Sequence, residues 1–141
     1  MYHNRIAMNY TLTPEVSEAI SYVISNAIES GWGRSWFNHR NYDWEDKKEG
    51  FYAEAEFKMD DGCDPNWSAD WIKVTPQVFF DRAIVIMSMP DLGIHKDNFM
   101  GTPHGLAHEM HKVLVGDYGD GDAIRDDALL QALFCGEVVC G

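Results

Sequence analysis

The sequence predicts an α+β domain in which a small antiparallel sheet, of two to four strands, packs against about four helices. Three observations carry that expectation. Thr-Pro steps at Thr13-Pro14, Thr75-Pro76 and Thr102-Pro103 each precede a helical pattern. A threonine hydroxyl accepts a hydrogen bond from a free amide of the first turn, and proline presets φ at the first helical position. From Phe51 to Met59, Phe51, Ala53, Ala55, Phe57 and Met59 alternate with Tyr52, Glu54, Glu56 and Lys58, the period of two expected of a half-buried strand. A turn-rich break from Asp60 to Asn66 then separates this stretch from an extended partner, Asp70 to Val74. The order reads β-α-β-β-α-α-α with a possible C-terminal strand, and no repeat or linker divides residues 1–141, so one domain is expected.

The elements follow in order. Ile6, Met8, Tyr10 and Leu12 alternate as a first strand would. After Pro14, Val16, Ile20, Val23, Ile24, Ala27 and Ile28 recur at helical spacing until Gly31, which can stop a helix in the left-handed conformation. After Pro76, Val78, Phe79, Ala83, Ile86 and Met87 predict a largely buried helix ending before Met89-Pro90. A third helix is expected from Pro103 to about Val115, weakened by Gly105. A fourth starts at an Asp122 cap, carries Ile124, Ala128, Leu129, Ala132 and Leu133 on one side, and ends at Gly136. Two strands alone are marginal, so a third from the N-terminus or from Glu137 to Cys140 is expected to join them.

Composition removes several classes of function. Eleven Lys and Arg against twenty-three Asp and Glu leave a formal charge of −12, which repels duplex nucleic acid and anionic membranes and suits a protein that meets basic surfaces. No apolar run approaches the roughly 20 residues needed to span a bilayer, and the N-terminal MYHNRIAMNY lacks the pattern of a signal peptide, so a cytoplasmic protein is expected. Cys63, Cys135 and Cys140 are read as reduced structural thiols, since Cys135-x4-Cys140 has no second pair with which to build a zinc site.

The densest constellation is Gly31 to Trp44, GWGRSWFNHRNYDW, read as a long aromatic loop. Trp32, Trp36, Tyr42 and Trp44 offer flat faces on which a base can stack, and Arg34, His39 and Arg40 make it the only locally basic stretch. A nucleotide-sized ligand would use both features. Gly31-x-Gly33 alone is no dinucleotide fingerprint, because the preceding strand and third glycine are missing. An aromatic satellite core and a subunit contact rich in Trp and Arg are the competing readings of the same residues.

Other clusters read more plainly. His104, His108 and His111 would share a face of a continuous helix and are weak metal candidates, with Glu109 nearby, but the spacing is not His-Glu-x-x-His. The acidic run Asp117 to Asp122, with Asp126 and Asp127 after it, fails the EF-hand pattern and is assigned to loop and helix-cap duty. No serine or cysteine has a nucleophile context, and no motif implies a cofactor.

The closing stretch, Asp120 to Gly141, resembles the end of small uncharacterised proteins encoded by tailed bacteriophages and prophages, which carry Gln-x-Ala-Leu-Phe-Gly-Glu-Val-Val-Tyr-Gly or close variants. Gln131, Leu133, Gly136, Glu137, Val138, Val139 and Gly141 fit; Cys135 and Cys140 stand where Phe and Tyr are expected. Residues 27–36 are similar to a Glu-Gly-Gly-Ile-Gly-Tyr-Trp segment of the same group. The resemblance implies a non-enzymatic accessory protein acting in the host cytoplasm. The leading expectation is an anti-defence protein that sequesters a nucleotide-type signalling molecule through Trp32, Arg34, Trp36, His39, Arg40, Tyr42 and Trp44, with Glu137 pairing Arg34 or Arg40. The alternative is an acidic inhibitor that docks on a host defence protein and blocks its basic groove. A metal-dependent hydrolase using His104, His108 and His111 is the third. Exposed loop aromatics would also support a homo-oligomer.

Overall fold

The computed structural model of the chain describes residues 10–30, 37–59, 70–89, 105–119 and 123–135. Helix α1 (Pro14–Glu29) is followed by strands β1 (Phe37–Lys47), β2 (Gly50–Met59) and β3 (Ile72–Val74), then α2 (Pro76–Met87), α3 (Gly105–Leu114) and α4 (Ala123–Cys135). The strands form one antiparallel sheet in the order β1-β2-β3. The α+β class and the pairing of Phe51–Met59 with the stretch that ends at Val74 are as the sequence predicts. No helix among the described residues is long and apolar enough to cross a membrane.

The Thr-Pro signals act as expected. Thr13 accepts a 3.2 Å bond from the Val16 amide at the start of α1, and Thr75 accepts a 3.2 Å bond from Val78 at the start of α2. Each proline then sits in the first turn, where its missing N–H removes a donor that had no helical partner. The Asp122 cap, the Thr102-Pro103 step, Gly136 and the possible strand from Glu137 to Cys140 lie outside the described residues.

Two expectations need correction. Tyr10 to Leu12 form no strand, and residues 6–9 lie outside the described residues, so the third strand is not N-terminal among what is described. It is β1 instead, and the loop expected from Gly31 to Trp44 is strand from Phe37 onward. The reason is physical. β1 lies at the sheet edge among the described residues and is exposed along most of its length, so it shows none of the apolar alternation by which a half-buried strand announces itself. Its order comes from the ladder with β2, whose Ala53, Ala55 and Phe57 supply the buried face.

A two-residue turn, Lys48-Glu49, joins β1 to β2, and the positive φ needed to close it falls on Gly50 at 131°. A Cβ there would come within 2.6 Å of Glu18 Oε2, the same oxygen that accepts a 2.8 Å bond from the Phe51 amide. The hairpin is thus tied at its tip to α1.

The buried apolar side chains form one cluster beneath the sheet, with Ile20, Ile24, Phe57, Phe79, Leu129 and Phe134 among its largest fully enclosed members. Each side chain of this kind contributes about 1.5–3 kcal/mol on leaving water. α1 lies between the sheet and α4, and every residue of α4 from Arg125 to Phe134 is buried. The sequence predicts one apolar side for this helix; the structure encloses it on all sides.

Candidate functional site

In an antiparallel ladder, directly opposed residues share a face. The register of β1 on β2 therefore sorts the expected ligand residues. His39 opposes Phe57 and Trp44 opposes Ala53, so both point toward the helices, while Arg40 opposes Glu56 and points to the outer face. A bulge between Arg40 and Asp43 inserts one extra residue, with Asn41 at φ 54°. The Asn41 side-chain amide donates to Glu56 Oε1. The bulge turns Tyr42 inward, where its hydroxyl donates to Glu29 Oε2 at 2.6 Å and lies 2.7 Å from the Ser25 hydroxyl on α1. Burial, followed by the bond to Glu29, pushes the Tyr42 phenol up to about 12, and the Tyr42 and Ser25 hydroxyls hold Glu29 below the usual carboxylate range.

Among the described residues of the segment, Arg40 and Trp44 therefore stand on opposite faces of the sheet. Trp44 is 52% exposed and stands 6.0 Å from the Phe51 ring on the helix side. Arg40 lies on the opposite face, 4.3 Å over the Trp71 ring and 3.3 Å from Glu56. Glu56 is its carboxylate partner among the described residues, and Trp32, Arg34, Trp36 and Glu137 lie outside them. On that outer face Lys73 pairs with Glu54 at 3.2 Å and Lys47 with Glu45 at 3.2 Å. A shallow depression of about 310 Å³ there is lined by Asn41, Glu54, Ala55, Glu56 and Lys73.

The helix side differs. Trp44, Phe51, Tyr22 and Tyr118 form a continuous aromatic ridge: Phe51 and Tyr22 stack with centroids 5.0 Å apart, and Tyr22 meets Tyr118 at 5.3 Å. Tyr22 is 39% exposed. Tyr118 is placed by the end of α3, where Gly116 at φ 84° closes a Schellman turn with the Gly116 amide on Val113 O and the Asp117 amide on Lys112 O. A Cβ on Gly116 would meet the Glu15 backbone at 3.3 Å, so glycine also allows this turn to approach α1.

Beneath Tyr118 is a polar network that sequence reasoning missed. Asp126 is fully buried; its Oδ2 accepts from Tyr118 at 2.5 Å and from Asn26 at 3.1 Å, and its Oδ1 accepts from Arg125 Nε at 2.9 Å. Asn26 also donates to the Tyr118 hydroxyl. Arg125 lies 4.9 Å over the Tyr118 ring and 3.4 Å from Glu109. Burial raises the Asp126 pKa, opposed by Tyr118, Arg125 and Asn26, while burial and the bond to Asp126 push Tyr118 up. Asp127, also buried, accepts a 2.7 Å bond from Gln131. These two carboxylates are thus not surface loop and cap residues. The network joins α1, α3, α4 and the 115–119 turn. The signal that could have found it was the near-continuous apolarity after Asp127: a helix of that kind is enclosed, so charges at its start must find partners inside.

His104 lies outside the described residues. His108 and His111 are exposed on α3, and His111 Nδ1 is 2.6 Å from the Tyr10 hydroxyl. Among the described residues no group of three His, Cys, Asp or Glu side chains could hold a metal ion.

Models of known protein families, curated proteins and solved structures were each compared with the chain, and none matches.

Proposed function

We propose that the protein acts by docking, as an acidic binder whose β1–β2 hairpin meets a basic surface on a partner protein. The observation that carries this reading is β1 itself, an 11-residue strand at the edge of the sheet among the described residues, with only Phe37 buried and Tyr42 half-buried. A long edge offers unpaired backbone groups to another chain, and proteins commonly protect such edges with charge. Here Asp43, Glu45 and Asp46 make the turn-proximal half acidic. Two chains of charge −12 repel, which favours a basic partner over a second copy at this edge. The perturbed carboxylates and phenols support the same view, because Glu29 with Tyr42, and Asp126 with Tyr118, are engaged in bonds that hold elements together. The resemblance of the closing segment to phage proteins supports a bacterial host protein as the partner, with its nucleic-acid groove as the surface blocked.

A second reading, sequestration of a nucleotide-type signal, draws support from the outer depression, where Lys73 lines the hollow and Arg40 lies over Trp71. Glu54 and Glu56 already engage both cations, so a phosphate would have to displace them. One paired experiment separates the readings. A pull-down from bacterial lysate at low salt recovers a basic protein with the native chain and loses it with Trp44→Lys/Asp46→Lys, two changes on the helix side of the hairpin, while calorimetry with cyclic and linear nucleotides gives no heat. Heat with a nucleotide and no recovered protein reverses the ranking.

A further inference from the structure

The geometry points to the ridge of Tyr22, Trp44 and Phe51 as a docking face for an arginine-rich segment of a protein partner. This inference rests on the docking reading above and names the face and the chemistry it takes.

Three independent features converge on it. The first is exposure: Tyr22 and Trp44 are large aromatics left 39% and 52% accessible, whereas the comparable rings of the core are enclosed. The second is continuity, since Trp44, Phe51, Tyr22 and Tyr118 connect β1, β2, α1 and the 115–119 turn through successive ring contacts of 6.0, 5.0 and 5.3 Å. The third is charge. α1 contains no Lys or Arg, and Glu15, Glu18, Tyr22 and Glu29 follow one another at spacings of three, four and seven, which places them along one stripe. The helix-side residues of β1 and β2 contain no Lys or Arg either, and Asp46 is among them. Residues 115–119 add Asp117 and again no cation.

The two faces of the hairpin are therefore different in kind. On the outer face Arg40, Lys47 and Lys73 each stand within 3.3 Å of a carboxylate oxygen. On the helix side, the described elements that carry the part-exposed rings of Tyr22 and Trp44 bring Glu15, Glu18 and Asp46 with no Lys or Arg on α1 or among the inward-facing residues of the hairpin. A guanidinium lying flat on Tyr22 or Trp44 gains attraction to the ring face, and its outward N–H groups reach Glu15, Glu18 or Asp46 in pairs. A lysine ammonium is a more strongly hydrated point charge that cannot stack as a plane, so arginine is the residue this face favours.

The test uses the full chain and two acetylated decapeptides, one alternating Arg with Gly and one alternating Lys with Gly, titrated at physiological salt by NMR and tryptophan fluorescence. The Arg peptide binds more tightly than the Lys peptide and shifts the Tyr22, Phe51 and Trp44 ring signals. Tyr22→Leu/Trp44→Ala weakens it by about tenfold or more. Glu15→Gln/Asp46→Asn weakens it similarly, whereas Asp43→Asn/Glu45→Gln, which removes the same charge from the outer face, changes it less than about twofold. Equal losses from the two charge-neutralised pairs, or none from the aromatic pair, overturn the ridge as the site and leave docking elsewhere on the chain. Failure of the native chain to bind either peptide overturns both the ridge and the docking reading on which it rests.

Discussion

Asn41 shows how much one backbone angle can direct. At φ 54° it occupies the left-handed region that Gly adopts freely, Asn tolerates and most other residues avoid, and its side chain holds Glu56. The bulge it forms turns Tyr42 toward α1, where one hydroxyl ties Ser25 and Glu29 to the edge strand. Asn41→Ala should destabilise the fold by about 1–2 kcal/mol, and Asn41→Gly by clearly less, because glycine keeps the angle and loses only an exposed side-chain bond. Urea unfolding of the two variants checks the order. The sequence at 38–42, NHRNY, carries no mark of this bulge, which depends on how β1 registers on β2. By contrast, Thr13 and Thr75 were legible in advance, since an N-cap is a bond between residues three apart.

At the scale of elements, α4 is the least intuitive part of the chain. It brings Arg125, Asp126, Asp127 and Gln131 into a buried environment, each with a partner, and so fixes the helix in rotation as well as position. Removing the Asp126 carboxylate with Asp126→Ala leaves Arg125, Tyr118 and Asn26 without their shared acceptor and should destabilise the protein by about 3 kcal/mol. The pH dependence has a definite sign. Burial raises the Asp126 pKa in the folded state, so its contribution to stability is full below the unfolded value of 3.8 and is lost as pH rises through the folded one. The difference in unfolding free energy between native protein and Asp126→Ala should therefore narrow as the pH rises above the unfolded value of 3.8. A difference that widened over that range would place the folded pKa below the unfolded one. Glu29 has the opposite sign: its lowered value gives stability above the unfolded pKa that disappears as pH falls through the folded one.

At the scale of the molecule, the sheet and the helices are held together through a few large side chains. Phe57 of β2 is fully buried, packs 4.7 Å from Phe37 and meets Phe134 of α4 edge-on at 6.4 Å. Phe57→Ala should lower the unfolding free energy by about 3–5 kcal/mol, measured by urea denaturation, because the cavity borders three elements at once. The distribution of charge is equally a property of the whole. Paired charges on the outer face, and the absence of Lys and Arg from the inward-facing residues of the hairpin beside Asp46, come from which residues β1 sets opposite β2, and both are invisible to a count that reads only −12.

The sequence by itself determined the class of the fold, the starts of α1 and α2, the run of β2 and its pairing with the stretch ending at Val74, and the acidic character of the chain. All of these rest on relations between residues a few positions apart, or on composition. Tertiary structure decided that Phe37 to Lys47 is a strand, that Arg40 and Trp44 face opposite ways, that Asp126 is buried, and that Tyr22, Phe51 and Tyr118 join Trp44 in one ridge. Each depends on contacts between distant segments: the ladder from β1 to β2, the bond from Asn26 to Asp126 a hundred positions away, and the Gly116 turn against Glu15. An edge strand and an enclosed charge have no periodicity of their own, because their environment is made by residues that are neighbours only after the chain has folded.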